Sequence, residues 1–180
     1  VGIAGAIAPA AVEPGVLRRY ARHHETGKPM PDELIARLER ARHFNQGFTT
    51  VEYVAASYLD LAWHERKSVE GVDVEAFDRD EMRRIKLVDE IVPRYLSTNF
   101  RHIFSSEFYS AGYYSYLWSQ VLDADAFAAF KERGLFDAET AAAFREHVLE
   151  RGGAEDPAVL YRRFRGAAPD VTHLLRRRGL

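Results

Sequence analysis

The sequence predicts an all-α fold. Apolar residues recur three and four apart along most of the chain, the mark of helices that bury one face. Proline and aspartate starts and glycine stops bracket those periodic stretches, and no repeat of 20–50 residues or low-complexity tract interrupts them. At 180 residues the chain fits one domain, or one lobe of a larger protein.

The opening VGIAGAIAPAAV (1–12) is small and apolar, with no basic flank and too few residues to span a bilayer, which takes roughly 20. It is expected to be an atypical terminal segment, distinct from a helical body over 13–180. Because the chain starts at Val1 and not at Met, a processed, truncated or partial protein is expected. Pro14 suits a first helical turn, with Val16, Leu17, Tyr20 and Ala21 as a stripe ending before Gly27. Lys28-Pro29-Met30-Pro31 makes a rigid connector, since each proline removes a donor and pushes its predecessor out of the helical region. Asp32 and Glu33 place negative charge at the next helix start, whose buried stripe is expected to be Leu34, Ile35, Leu38 and Ala41.

After Gly47 a long helix is expected from Phe48 to about Arg66. Its wide apolar face comprises Val51, Val54, Ala55, Tyr58, Leu59, Ala62 and Trp63. Asp73 opens a charged helix through Met82 and Ile85, and Pro93 closes the stretch that follows. Leu96–Phe104 has no clear period. The run YSAGYYSYLW at Tyr109–Trp118 predicts an aromatic helix continuing through Phe127 and Phe130 to a stop at Gly134. Asp137 caps the next helix, which ends at Gly152-Gly153. Pro157 starts another, carrying Leu160, Tyr161 and Phe164, and Asp170 caps a last one ending in Arg176-Arg177-Arg178, expected to be solvated.

The composition removes several function classes. Cysteine is absent, so thiol catalysis, Cys-ligated zinc and iron–sulfur clusters are excluded. A net charge of −2 offers no whole-chain support for a nucleic-acid partner. A zincin helix needs two histidines four residues apart with a glutamate after the first. His64-Glu65 is followed by Arg66, Lys67 and Ser68, and His23-His24-Glu25 lies beside a helix end, so no metal site is assigned within the chain. Gly-rich phosphate loops and GxSxG elbows are also missing.

Projected at 100° per residue, Tyr114, Leu117, Trp118 and Val121 form the expected core face of the aromatic helix. Tyr109, Tyr113, Tyr116 and Gln120 form a second stripe about 120° away, with Gly112 in the turn beside it. A phenol is a large apolar body with one donor at its tip, suited to gripping something polar in a cavity. The same spacing also suits tyrosines half-buried at a helix contact. His102 reaches the same place if the segment between loops back.

Here the residues carry a resemblance. HIF and YSAGYYSYLWSQVLDADAF, within His102–Phe127, resemble the C-terminal part of the thimet-oligopeptidase family of zinc metallopeptidases. RHFNQGFTTVEYVAASYLDLAWH at Arg42–His64 is similar to the peptidyl-dipeptidase (dipeptidyl carboxypeptidase) branch more than to the others. ERGGAEDPAVLYRRFRGAAPDVTHLLRRRGL at Glu150–Leu180 is similar to the family's closing sequence. The resemblance spans Glu13 to Leu180. It implies the helical C-terminal lobe of a two-lobed enzyme with a deep channel. Zinc would be held by HExxH and a following Glu outside this chain, and the tyrosine segment would face that zinc. By the motif, Tyr113 and Tyr116 are phenols near the scissile carbonyl, Tyr109 and Gly112 meet substrate, and His102 hydrogen-bonds its backbone. Two departures stand out. Ser105-Ser106-Glu107-Phe108 replaces a short glycine-rich loop, and VGIAGAIAPAAV matches nothing in the family.

The resemblance therefore implies the substrate-binding, C-terminal part of a cytoplasmic zinc peptidase that releases C-terminal dipeptides from short peptides. Its partners would be those peptides and the upstream HExxH-bearing part of the same protein, with no nucleic acid and no membrane. The chain alone is expected to be inactive. The alternative is a non-catalytic helical module, binding peptides or partners, derived from such a peptidase.

Overall fold

The computed structural model describes residues 10–180. Most of the expected 1–12 segment lies outside the described residues, and 10–12 form one 3₁₀ turn. Nine α-helices follow among the described residues: α1 Pro14–Tyr20, α2 Asp32–Ala41, α3 Gln46–His64, α4 Val74–Arg84, α5 Arg101–Phe104, α6 Ser115–Arg133, α7 Ala138–Phe144, α8 Pro157–Arg165 and α9 Thr172–Arg177. No strand forms among them; one isolated bridge joins Arg22 and Pro29. The fold is all-α, and none of these helices is long and apolar enough to cross a membrane. The chain divides into two compact units, one of residues up to Phe44 with Leu117–Leu180 and the other of Asn45–Tyr116.

In the first unit, α6, α7 and α8 bury Ala126, Ala129, Phe144, Tyr161 and Phe164 as one cluster. Pro157 opens α8 and the Asp156 side chain accepts the Ala158 N–H, so the three apolar residues read from the sequence are all buried. Asp137 caps α7 by accepting the Thr140 N–H, and α7 runs on through a π-helical turn, Arg145–Leu149. Leu117, Val121 and Ala124, spaced along one face of α6, pack with Leu174. Glu13 is buried and held by Arg42 at 3.1 Å and Lys131 at 2.9 Å.

Three expectations change here. Only Ile35 of the α2 stripe is buried, while Leu34 and Leu38 are exposed, and Tyr20 of α1 is exposed as well. The C-terminal arginines are not simply solvated: Arg177 pairs with Asp123 at 2.6 Å and Arg178 donates to the Gln120 side chain. Asp170 does accept the Thr172 N–H, but α9 begins at Thr172, so Val171 and not Asp170 holds the N-cap position.

The second unit is built on α3. It starts at Gln46, earlier than expected, because the break falls at Asn45 (φ 56°) and Gly47 is taken into the helix. Its buried side is also wider and more polar than the apolar count suggests: Tyr53, Ala55, Ala56, Leu59, Ala62 and Trp63 are joined by Ser57 and Asp60, whereas Val51 and Tyr58 are exposed. Trp63 stacks obliquely on Phe77 of α4 at 4.2 Å and donates its indole N–H to Ser97. Ser97 in turn donates both its hydroxyl and its N–H to the buried carboxylate of Asp78. That network anchors Leu96–Phe104, which resolves into a 3₁₀ turn, Ser97–Asn99, and α5.

Candidate functional site

The aromatic run is not one helix. Glu107–Tyr109 makes a 3₁₀ turn, residues 110–114 are turns, and α6 begins only at Ser115. Ala111 has φ 54°, a left-handed conformation that costs an L-residue about 1–2 kcal/mol and cannot continue a right-handed helix. Gly112 donates to the Tyr109 carbonyl at 2.9 Å, and a Cβ on it would lie 3.2 Å from the Phe108 carbonyl oxygen. Its role is thus a close backbone approach within a turn, not a gap in a helix.

What holds the kink is a residue that the reading of sites passed over. Asp60 of α3 is fully buried, and its carboxylate accepts the N–H of Ala111 at 3.1 Å and of Tyr113 at 2.8 Å. His64, one turn on, lies with Nδ1 2.8 Å from the same carboxylate. Tyr53, two turns before Asp60 on the same face of α3, donates its hydroxyl to the Tyr113 carbonyl at 2.8 Å. The signal was present: a charge set among Leu59, Leu61, Ala62 and Trp63 is an unexplained polar residue on an apolar face.

The kink gathers the expected side chains by a different route from the projection. The Tyr109 and Tyr116 hydroxyls lie 2.8 Å apart. The Tyr113 ring, buried, sits 5.3 Å from that of Tyr116 and 6.1 Å from His102. His102 stands edge-on to Tyr109 at 5.9 Å, with Tyr95 on its other flank at 5.2 Å. Four of the five expected residues thus form one aromatic cluster, with Gly112 in the turn that shapes it. Gln120 is not part of it, being engaged by Arg178. The projected core face holds in half: Leu117 and Val121 pack in the core, whereas Tyr114, which precedes α6, and Trp118 are exposed.

The electrostatics keep the phenols protonated. The hydrogen bond shared with Tyr109, aided by burial, pushes Tyr116 up to about 12. Burial pushes Tyr113 to about 12 as well, against the Arg94 guanidinium, which favours the anion. Both are therefore donors at neutral pH. The Nδ1 of His102 is buried with no hydrogen-bond partner among the described residues. Leaving such an atom unpaired costs about 1–3 kcal/mol, which a ligand group could recover.

These shifts carry a pH prediction. Both folded values lie above the unfolded reference of 10.0, so the native state retains protons that the unfolded chain has lost. Stability is full below pH 10 and falls between pH 10 and about 12. Urea midpoints measured from pH 8 upward should decline across that window, and Tyr116→Phe should flatten the decline.

His23, His24 and Glu25 bring possible ligand atoms within 4.8 Å of one another, but all three are exposed. His23 Nδ1 already accepts the N–H of Glu25 and of Thr26. The described residues therefore do not fit a shielded catalytic zinc, which needs three protein ligands and an ordered second shell.

Comparison with known proteins gives the family. The sequence model of Peptidase_M3, "Peptidase family M3", matches residues 10–180. The chain is 42% identical over 176 residues to dipeptidyl carboxypeptidase of Escherichia coli K12, covering 94% of this chain and 25% of that protein. It is 36% identical over 172 residues to oligopeptidase A of the same organism, covering 93% and 25%. With saccharolysin of Saccharomyces cerevisiae it shares 29% identity over 167 residues, covering 91% and 23%. The chain spans about a quarter of the length of these curated relatives. Matched across nearly its whole described length, the chain belongs to peptidase family M3.

Proposed function

We propose that this chain is the C-terminal, substrate-binding part of a zinc peptidase that cleaves short peptides and releases C-terminal dipeptides. One observation carries the reading: Tyr109, Tyr113, Tyr116 and His102, the residues whose roles the family resemblance implies, meet in one cluster. A protonated phenol beside a reacting carbonyl stabilises the negative charge that grows on its oxygen. Tyr116 is suited to that, because its hydroxyl shares a 2.8 Å hydrogen bond with Tyr109 that holds it in place. Tyr113 stands beside it as a second donor, Tyr109 meets the substrate, and His102, edge-on to Tyr109, bonds the peptide backbone.

No residue of this chain is assigned to zinc. The reading places its ligands, an HExxH helix and a later Glu, in the upstream part of the same protein. Residues 13–180 then belong to the catalytic domain, and the chain alone binds peptide without cutting it. A location in the cytoplasm belongs to the same proposal.

The test joins this chain to its upstream sequence and compares the product with the chain alone. A short peptide with a free C-terminus should yield dipeptides from the joined protein, with zinc bound, and stay intact with the chain alone. Hydrolysis by the chain alone, or zinc-free hydrolysis by the joined protein, overturns the reading. A non-catalytic peptide-binding module is the second reading, favoured by the lack of fit to zinc. It predicts peptide binding by both proteins and cleavage by neither.

A further inference from the structure

We propose that Asp60 is the positioning residue of the phenol cluster: its buried carboxylate bridges the N–H groups of Ala111 and Tyr113 and so fixes the turn from which Tyr109, Tyr113 and Tyr116 meet. The proposal rests on the functional reading above only for the use to which the phenols are put; the bonds themselves are independent of it.

Three features make Asp60 the control point. A backbone that places Ala111 at φ 54° and bends tightly at Gly112 is intrinsically disfavoured, so something outside the turn must hold it. The Asp60 carboxylate does so with two bonds, and charge-assisted bonds from backbone N–H are about twice as strong as neutral ones. Tyr53, on the same face of α3, holds the Tyr113 carbonyl, so both backbone polar groups of Tyr113 are fixed by one rigid helix. The direction of the Tyr113 ring, and the start of α6 two residues later that carries Tyr116, follow from that clamp. His64 Nδ1 lies 2.8 Å from Oδ1, the oxygen that also accepts from Ala111, so the carboxylate is held from its own helix as well. Without the carboxylate, Ala111 can relax toward right-handed helix, which is the continuous helix that the sequence alone predicts. The phenols would then fall on a helical stripe and lose their 2.8 Å contact.

The experiment uses the full chain in three forms: unsubstituted, Asp60→Asn and Asp60→Ala. In the unsubstituted chain, hydrogen exchange by NMR should show the Ala111 and Tyr113 amides protected although they lie in a turn. Asparagine keeps one acceptor and presents a donor to the other amide, so exchange should rise about tenfold or more at one of the two positions; alanine should release both. The ¹³Cζ resonances of labelled Tyr109 and Tyr116, which report their mutual hydrogen bond at neutral pH, should move in both variants. That of Tyr161, in the other unit, should not move, which separates loss of position from general loosening. Unprotected Ala111 and Tyr113 amides in the unsubstituted chain overturn the proposal even if neither variant folds. So do variants that fold and leave the amide exchange and the tyrosine resonances unchanged. Peptide cleavage is not among the readouts, so failure of the peptidase reading leaves this outcome intact.

Discussion

In a peptidase containing this chain, Tyr116→Phe is expected to lower kcat by about 10²–10³ with little change in KM. The ring contacts with Tyr109 and Tyr113 survive in the phenylalanine, so the substitution removes a donor and not a shape. A donor aimed at an oxygen that is only weakly charged in the bound substrate binds substrate and product poorly; its worth appears in the transition state. Tyr109→Phe should cost less, because it removes a bond that positions the Tyr116 hydroxyl and leaves the Tyr116 proton in place. The double substitution should cost scarcely more than Tyr116→Phe alone, since the two hydroxyls act in series. Steady-state kinetics on a peptide with a free C-terminus decide it. Equal effects that simply add would mean that the phenols act separately, and an effect confined to KM would reduce the pair to a binding contact.

The fold class and most helix boundaries were legible because they rest on local signals: Asp73, Asp137 and Asp156 cap where spacing said a helix starts, and Gly134, with φ 120°, stops α6. The site was legible as a set of residues and not as a geometry. Helical projection placed three phenols on one stripe; the structure brings them together through a left-handed residue that no helical period contains. Nothing within the run announces that kink except Gly112. Its cause lies some fifty residues away in Asp60, and a tertiary hydrogen bond of that span has no local sequence period. The error on the core face has the same origin. Tyr114 read as interior on a helix begun at Tyr109 but precedes the helix that begins at Ser115, which packs through the projected Leu117 and Val121 with Ala124 and leaves Trp118 exposed. On α3, hydropathy left out Ser57 and Asp60 because it discounts polar residues whose burial is repaid by specific partners.

The largest stability effect is expected at another buried acid of the same kind, Asp125 in the first unit. Its carboxylate accepts the Tyr161 hydroxyl at 2.5 Å and pairs with Arg165 and His173 at 3.3 Å each. Asp125→Ala is expected to cost about 3–5 kcal/mol, because removing one member of a buried charged network strands the rest. Tyr161 would keep only a 3.4 Å contact with the Leu122 carbonyl, inside the cluster that packs α6 against α7 and α8. Arg165 would be less affected, since Glu132 holds it with two bonds of 2.8 Å. Tyr161→Phe is therefore the informative control: it keeps the ring in the core, leaves Asp125 paired with Arg165, and should cost about 1 kcal/mol. Urea unfolding gives the comparison, with the midpoint falling by roughly 1–3 M in Asp125→Ala and by well under 1 M in Tyr161→Phe. If both substitutions cost the same, the phenol bond is the whole contribution of Asp125. If Asp125→Ala is nearly neutral, water fills the space and serves the stranded groups, and the first unit is held by its apolar cluster alone.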